Sequence, residues 1–141
     1  MAKTPWAKFS LPPNSEAYAK GHSAEFRRTL RETFGPLAQW VHEIPSGAHS
    51  WLMIEVPGEG SLSAFFRDLE RRLTPTGSLW VVLPKKPFAE ELAFPFSWSD
   101  VQRAGLAAGL VDNKIAAFSA RLTTIRFVVP LARRKAPAAR K

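Results

Sequence analysis

The sequence contains no cysteine among its 141 residues, which excludes disulfide bonds, thiol catalysis and thiolate metal sites. It also has no apolar run approaching the roughly 18 residues of a membrane span, and its first residues lack the apolar segment of a secretory signal. We therefore expect a cytoplasmic protein that has no membrane partner.

Motifs for metal binding and hydrolysis are missing as well. His22, His42 and His49 do not have the four-residue spacing of a helical metal pair, so we predict no metal site. No serine stands in a Gly-x-Ser-x-Gly turn, which disfavours a hydrolase. The sequence therefore indicates a fold more clearly than a reaction.

The composition, with 45% hydrophobic and 23% charged residues, is typical of an ordinary globular protein with a core of its own. Prolines and the absence of periodicity predict an extended N-terminal arm over residues 1–14, which Trp6, Phe9 and Leu11 could pin against the body. A single domain is expected over 15–130. Residues 131–141, the basic tail, are expected to be disordered because they can bury no apolar face.

Much of the net charge of +8 lies in this basic tail. Five of its residues are positive and none is acidic, which leaves +3 (8 − 5) for the rest of the chain; they are Arg133, Arg134, Lys135, Arg140 and Lys141. The interpretation we favour is a solubilising terminus. The alternative is an arm that contacts nucleic acid with strong salt dependence.

Apolar runs and helical periodicities alternate along the chain. Helices are predicted at Ala24–Phe34, after Ser61 and at Trp98–Ala108, and main strands at Trp51–Val56, Ser78–Leu83, Asp112–Phe118 and Thr124–Val129, with weaker strands in Glu16–Lys20 and Leu37–Ile44. Parallel strands need long crossover connections. We therefore predict a single-domain, three-layer α/β fold, whose mostly parallel mixed sheet ends in an antiparallel hairpin.

Three motifs carry a resemblance to a known family. They are W-V-x-x-P-K-K at 80–86, G-L-V-D-N-K at 109–114 and I-R-F-V-V at 125–129. Together they resemble a family of small bacterial proteins of unknown function with a truncated class I methyltransferase-like fold. The resemblance covers 48–130 well and 15–47 loosely. It implies a Rossmann-like scaffold without an assigned activity.

A methyltransferase of this class would place a glycine-rich loop after its first strand and an acid at the end of its second. The first turn here has one glycine, Gly21, and the second strand has Glu43 near its end, followed by Ile44 and Pro45. These two residues and Glu55 would have to line a pocket for S-adenosylmethionine. Because both signals are weak, we predict no cofactor, with S-adenosylmethionine as the alternative.

Two features at the carboxyl ends of strands could bind a partner. Lys85 and Lys86 stand between two prolines and could hold an anion, although a solvated loop would look the same. Residues 87–98, here called the aromatic loop, carry Phe88, Phe94, Phe96 and Trp98. They could stack on a base or a peptide, or be buried as a satellite of the core.

These features support three functional hypotheses. The first is a noncatalytic binding module that uses Lys85, Lys86 and Trp98 to bind a protein partner or a second copy of itself. The second is a nucleic-acid-binding protein in which the basic tail, through Arg133, Arg134 and Lys135, acts with Lys85, Lys86, Arg71 and Arg72. The third is a small S-adenosylmethionine-dependent methyltransferase.

Overall fold

The computed structural model describes residues 7–11 and 16–134. Its strands are β1 (Tyr18–Lys20), β2 (Gln39–Trp40), β3 (His49–Glu55), β4 (Leu73–Pro84), β5 (Val111–Ala117) and β6 (Leu122–Val128). Its α-helices are α1 (Ala24–Phe34), α2 (Leu62–Glu70), α3 (Trp98–Ala107) and α4 (Leu131–Arg134).

One mixed sheet contains all six strands in the order β2-β1-β3-β4-β6-β5. The first four strands are parallel to one another. Strand β6 then pairs antiparallel with both β4 and β5, and β5 and β6 form the terminal hairpin. The predicted sheet, mostly parallel and closed by an antiparallel hairpin, is confirmed.

Helices cover both faces of the sheet and complete three layers. On one face α1 packs with the N-terminal segment in a core that includes Phe9, Phe26 and Trp51. On the other face α2 and α3 pack against the opposite side chains of β3, β4 and β6, in a core that includes Phe66 and Phe127. Strands β3 and β4 are buried on both faces, as their continuous apolar runs predict.

The helix boundaries follow from local capping. The side chains of Ser23, Ser61 and Ser97 each accept a hydrogen bond from a backbone N–H in the first turn of α1, α2 and α3. At Ser97 the carboxylate of Asp100 also accepts from the backbone N–H of the cap, which closes a capping box. The predicted bounds of α1 agree with the structure at both ends.

Strand β4 begins earlier than predicted. Residues 74–77 read as a turn, but the strand starts at Leu73, which pairs with His49. The register shifts between this pair and the pair of Trp51 with Ser78, so 74–77 form an irregularity within the strand. Proline and glycine are tolerated there because a bulge leaves ladder positions unpaired.

The two terminal segments contain structure that composition did not indicate. Ala7–Phe9 of the predicted extended arm form a 3-10 turn, in which Phe9 is 1% exposed and its carbonyl accepts a hydrogen bond from Trp51 Nε1. Leu131–Arg134 of the basic tail form α4. Burial of Phe9 against a tryptophan is a tertiary effect. The rest of both segments lies outside the described residues.

Within residues 7–11 and 16–134, no helix is long and apolar enough to cross a bilayer.

Candidate functional site

The carboxyl ends of β1 and β3 form the place where the chain reverses its direction across the sheet. From β1 the chain passes through α1 to β2 on one side, and it then returns to β3 on the other side of β1. In open α/β sheets ligands bind at such a switch point. Gly21, which follows β1, and Glu55, which ends β3, meet there, whereas the sequence could not show that they are neighbours.

Glu55 binds the turn that leads into α1. Its side chain is 6% exposed, and its Oε1 accepts hydrogen bonds from the backbone N–H groups of His22 (2.7 Å) and Ser23 (2.9 Å). Its Oε2 accepts from the hydroxyl of Ser23 at 2.6 Å. A carboxylate at the N-terminal end of a helix is also favoured by the helix dipole. Glu55 therefore fills the position at which this turn could hold a ligand's anionic group.

Gly21 is in close contact with the chain's own side chains. A Cβ at this position would lie 2.4 Å from Cδ2 of Phe26 and 2.8 Å from Oε1 of Glu55. Real Cβ atoms do not approach other atoms this closely, so only glycine fits. The need for glycine is thus explained by Phe26 and Glu55 without any bound ligand.

A serine, a histidine and an acid do come together here, although not as a nucleophilic triad. The hydroxyl of Ser23 donates to Glu55 and accepts from the N–H of Phe26 at 3.1 Å. The Nδ1 atom of His22 lies 3.4 Å from the same carboxylate rather than beside the hydroxyl. Ser23 therefore acts as a helix cap, whereas a nucleophile would bond to the histidine.

Glu43, the third residue proposed for a cofactor pocket, does not line the cavity that Gly21 and Glu55 share. Strand β2 ends at Trp40, so the chain leaves the sheet before reaching Glu43, whose side chain is exposed. Its neighbour Ile44 is the residue that lines the cavity beside Gly21. The structure thus brings together two of the three predicted residues.

Two cavities, each of about 300 Å³, flank the Glu55 carboxylate. The cavity beside α2 has an apolar floor of Ile44, Ile54, Phe65 and Leu69. The cavity at the start of α1 is bounded by Ser23, Glu25, Phe94 and Arg121. Because Glu55 and His22 line both, the carboxylate divides what could otherwise be one larger site.

An ionic cluster closes the outer side of the second cavity. Glu25 accepts hydrogen bonds from the hydroxyl of Ser119 and from Nε of Arg121, the latter at 2.8 Å. The same guanidinium contacts Glu91 of the aromatic loop at 2.7 Å. This cluster ties α1, the β5–β6 turn and the aromatic loop together. Sequence reasoning missed it because no local pattern links residues up to 96 positions apart.

Glu25 should make the stability of the fold depend on pH in the acidic range. Burial raises the pKa of its carboxyl, but the hydrogen bonds from Ser119 and Arg121 outweigh this and lower the pKa below the usual 4.5. A depressed folded-state pKa stabilises the protein above the unfolded value, and this stabilisation is lost as the pH falls through the folded value. We therefore expect the Glu25→Gln variant to lose less stability than the wild type when the pH is lowered below 4.5, as measured by urea unfolding. Parallel pH profiles would contradict this expectation.

Lys86 and Trp98, predicted to contact a partner, lie together. With Phe94 and Phe96 they line a cavity of about 320 Å³ at the outer side of the aromatic loop. These three rings are half-buried and pack against the core of the α2–α3 face. Lys85 instead precedes the 3-10 turn Lys86–Phe88, and its N–H donates to the carbonyl of Arg121. The loop is thus partly a satellite of the core and partly open surface.

The other predicted cationic contacts are distributed elsewhere. Arg71 and Arg72 both contact the carboxylate of Asp68, which neutralises part of their charge. Arg133 and Arg134 lie in α4, and Lys135 lies outside the described residues. Among residues 7–11 and 16–134, no group of three or more histidine, aspartate or glutamate side chains could hold a metal ion.

Comparisons with known proteins show the fold. No family model and no curated protein matches the sequence. Among solved structures, an S-adenosylmethionine-dependent methyltransferase from Aquifex aeolicus matches at a TM-score of 0.63 and 14% identity, over 88% of this chain and 87% of the other. The methyltransferase of Haloferax volcanii in complex with the activator Trm112 matches at a TM-score of 0.56 and 11% identity, over 89% of each chain.

A third structure contains the cofactor. An O-methyltransferase of neocarzinostatin biosynthesis, in complex with S-adenosylmethionine and a naphthoic acid, matches at a TM-score of 0.54 and 15% identity. The match covers 76% of this chain and 38% of that longer chain. At these identities the comparisons establish a class I methyltransferase-like fold, and they leave the activity open.

Proposed function

We propose that this protein is a noncatalytic binding module on a methyltransferase-like scaffold. The observation that carries the proposal is the Glu55 carboxylate, which accepts three hydrogen bonds from His22 and Ser23 at the turn after β1. In a cofactor-binding domain that turn would keep its backbone donors for the ligand. Here the donors are already paired with a side chain of the same protein.

The residues of the site do not fit S-adenosylmethionine. On the side of Gly21 where a Cβ would project, Phe26 and Glu55 fill the space, so a cofactor cannot approach the backbone from that side. The acid that would hold the ribose hydroxyls has no equivalent at the end of β2, because Glu43 is exposed and does not line the cavity. The turn has a single glycine, and its backbone donors are paired with Glu55. Both features support a binding site that does not serve the cofactor.

Lys86 and the aromatic loop provide the surface that we propose for a partner. Half-buried aromatic rings beside a lysine suit a protein segment with an apolar anchor and an acidic neighbour. The Haloferax volcanii methyltransferase, which forms a complex with an activator protein, is consistent with a scaffold of this kind working through a partner. Self-association would appear as concentration-dependent sedimentation of the full chain. One monomeric species at every concentration would indicate that the partner is a different protein. Such a module fits the small bacterial family that the motifs resemble.

Thermal unfolding with added ligand tests the proposal. We expect S-adenosylmethionine and S-adenosylhomocysteine to leave the melting temperature of the full chain unchanged. A ligand at about 100 times its Kd would stabilise the folded state by about 2.7 kcal/mol and raise the melting temperature by roughly 8 °C or more. The neocarzinostatin O-methyltransferase, solved with S-adenosylmethionine, serves as the positive control.

A small methyltransferase is the second candidate, and one observation favours it. Gly21 and Glu55 both line the cavity of about 300 Å³ beside α2, a volume at the lower end of the range for small-molecule sites. A rise of several degrees with either adenosyl compound would support this candidate and refute the noncatalytic proposal.

A further inference from the structure

The outer face of α1 carries a strip of arginines that no function discussed so far uses. Phe26, Leu30 and Phe34 point into the core, so the opposite side of the helix faces solvent. Arg27, Arg28 and Arg31 are exposed, and a helical wheel places them side by side. We call these three residues the α1 arginine strip.

Charge is unevenly distributed around this helix. Within the described residues, none of the three arginines forms an ion pair, whereas Arg71, Arg72, Arg103 and Arg121 on other elements all do. Glu25, the acid at the start of α1, points the other way and pairs with Arg121. Glu32, the other acid of α1, is exposed and forms no ion pair within the described residues. The α1 arginine strip therefore carries a net positive charge above the β2 edge of the sheet.

Two aromatic side chains adjoin the strip. The guanidinium carbon of Arg27 lies 4.1 Å from the centroid of the Trp40 ring, which holds the guanidinium in place. The exposed ring of His42 lies against the same tryptophan, with the two centroids 4.5 Å apart. The patch thus offers phosphate-binding guanidinium groups next to a guanidinium plane and a histidine ring on which a base can stack.

From this arrangement we propose that the α1 arginine strip, with Trp40 and His42, binds single-stranded nucleic acid. Arg28 and Arg31 contact phosphates, and a base stacks on Arg27 or His42. A membrane surface is a poorer match, because the apolar face of α1 is already buried in the core. This site differs from the basic tail and from Lys85 and Lys86.

The test compares two triple variants of the full chain that remove the same charge. Arg27→Ala/Arg28→Ala/Arg31→Ala removes the strip, and Arg67→Ala/Arg71→Ala/Arg103→Ala removes three exposed arginines from α2 and its neighbourhood on the opposite layer. Both retain the basic tail. Binding to a fluorescent single-stranded RNA oligonucleotide is measured by anisotropy between about 50 and 200 mM salt.

We expect the strip variant to bind about tenfold more weakly at low salt, and the slope of log K against log salt to fall by about 1.4, since Arg28 and Arg31 contact phosphates and each contact on a single strand contributes about 0.7. The control variant should change the affinity much less. His42→Ala should weaken binding without changing the slope, because stacking releases no counterions.

Three results would overturn the proposal. They are an absence of RNA binding by the wild type, equal losses in the two triple variants, and an unchanged affinity in the strip variant. Because Arg27 contacts Trp40, its removal could disturb the fold, so Arg28→Ala/Arg31→Ala is measured in parallel. This double variant should keep the wild-type melting temperature and show the same fall in slope as the strip variant, because Arg27 contributes by stacking.

Discussion

Replacement of Gly21 by alanine is expected to destabilise the protein by about 2–3 kcal/mol, as found for overpacked cores. The added Cβ would lie 2.4 Å and 2.7 Å from two ring carbons of Phe26. That ring is 0% exposed and cannot swing into solvent, so relief requires a shift of α1 or of β3. The loss should appear as a lower midpoint of urea unfolding with an unchanged slope.

Gly58 provides a matched control in the loop that follows β3. A Cβ at Gly58 would meet no atom within 4 Å, and its backbone is not left-handed. We expect Gly58→Ala to be neutral or slightly stabilising, because alanine restricts the unfolded chain. Equal unfolding midpoints for Gly21→Ala and the wild type would show that the turn after β1 has room for a side chain and that steric crowding does not exclude a cofactor there.

Replacement of Glu55 by alanine is expected to cost about 3 kcal/mol, because hydrogen bonds to a charged group contribute about 1.5–3 kcal/mol and unpaired buried donors add a penalty. The variant would leave the N–H groups of His22 and Ser23 and the hydroxyl of Ser23 without their acceptor. Helix α1 would keep its cap at Ser23 but lose the anchor that joins it to β3. Urea unfolding at neutral pH measures the effect.

Two variants make this result specific. Glu59→Ala removes an exposed carboxylate four residues away and should change stability by less than about 0.5 kcal/mol. Glu55→Gln keeps one acceptor oxygen and should fall between the wild type and Glu55→Ala. If Glu55→Ala unfolded at the wild-type midpoint, the carboxylate would be dispensable for the fold, and a role in ligand binding would become the better explanation of its position.

Local sequence predicted the parts of the fold that depend on local interactions. The bounds of α1 follow from the Ser23 cap, the spacing of Phe26, Leu30 and Phe34, and the stop at Gly35. The apolar run at Trp51–Val56 predicted the buried strand β3, because a run of apolar residues is also a local property. The alternation of these segments fixed the parallel sheet, since crossover helices leave few other topologies.

The sequence did not predict the features of the fold that depend on backbone pairing or on contacts between residues far apart in the chain. Residues 74–77 have the composition of a turn, yet pairing of Leu73 with His49 draws them into β4 as an irregularity. Phe9 could be expected to pin the N-terminal arm against the body, but its partner Trp51, which holds it in the core, could not be predicted. In both cases the stabilising partner lies far away in sequence.

The candidate site shows the same division. The sequence by itself determined that this chain forms a mixed α/β sheet and that the turn after β1 has only one glycine, because glycine content, capping and periodicity are local properties. Only the tertiary structure decided that Glu55 occupies that turn, that Arg121 joins Glu25 to Glu91 and that Arg27 rests on Trp40. A carboxylate or guanidinium acquires its role from the groups that the fold brings to it, and that placement arises from packing over the whole chain.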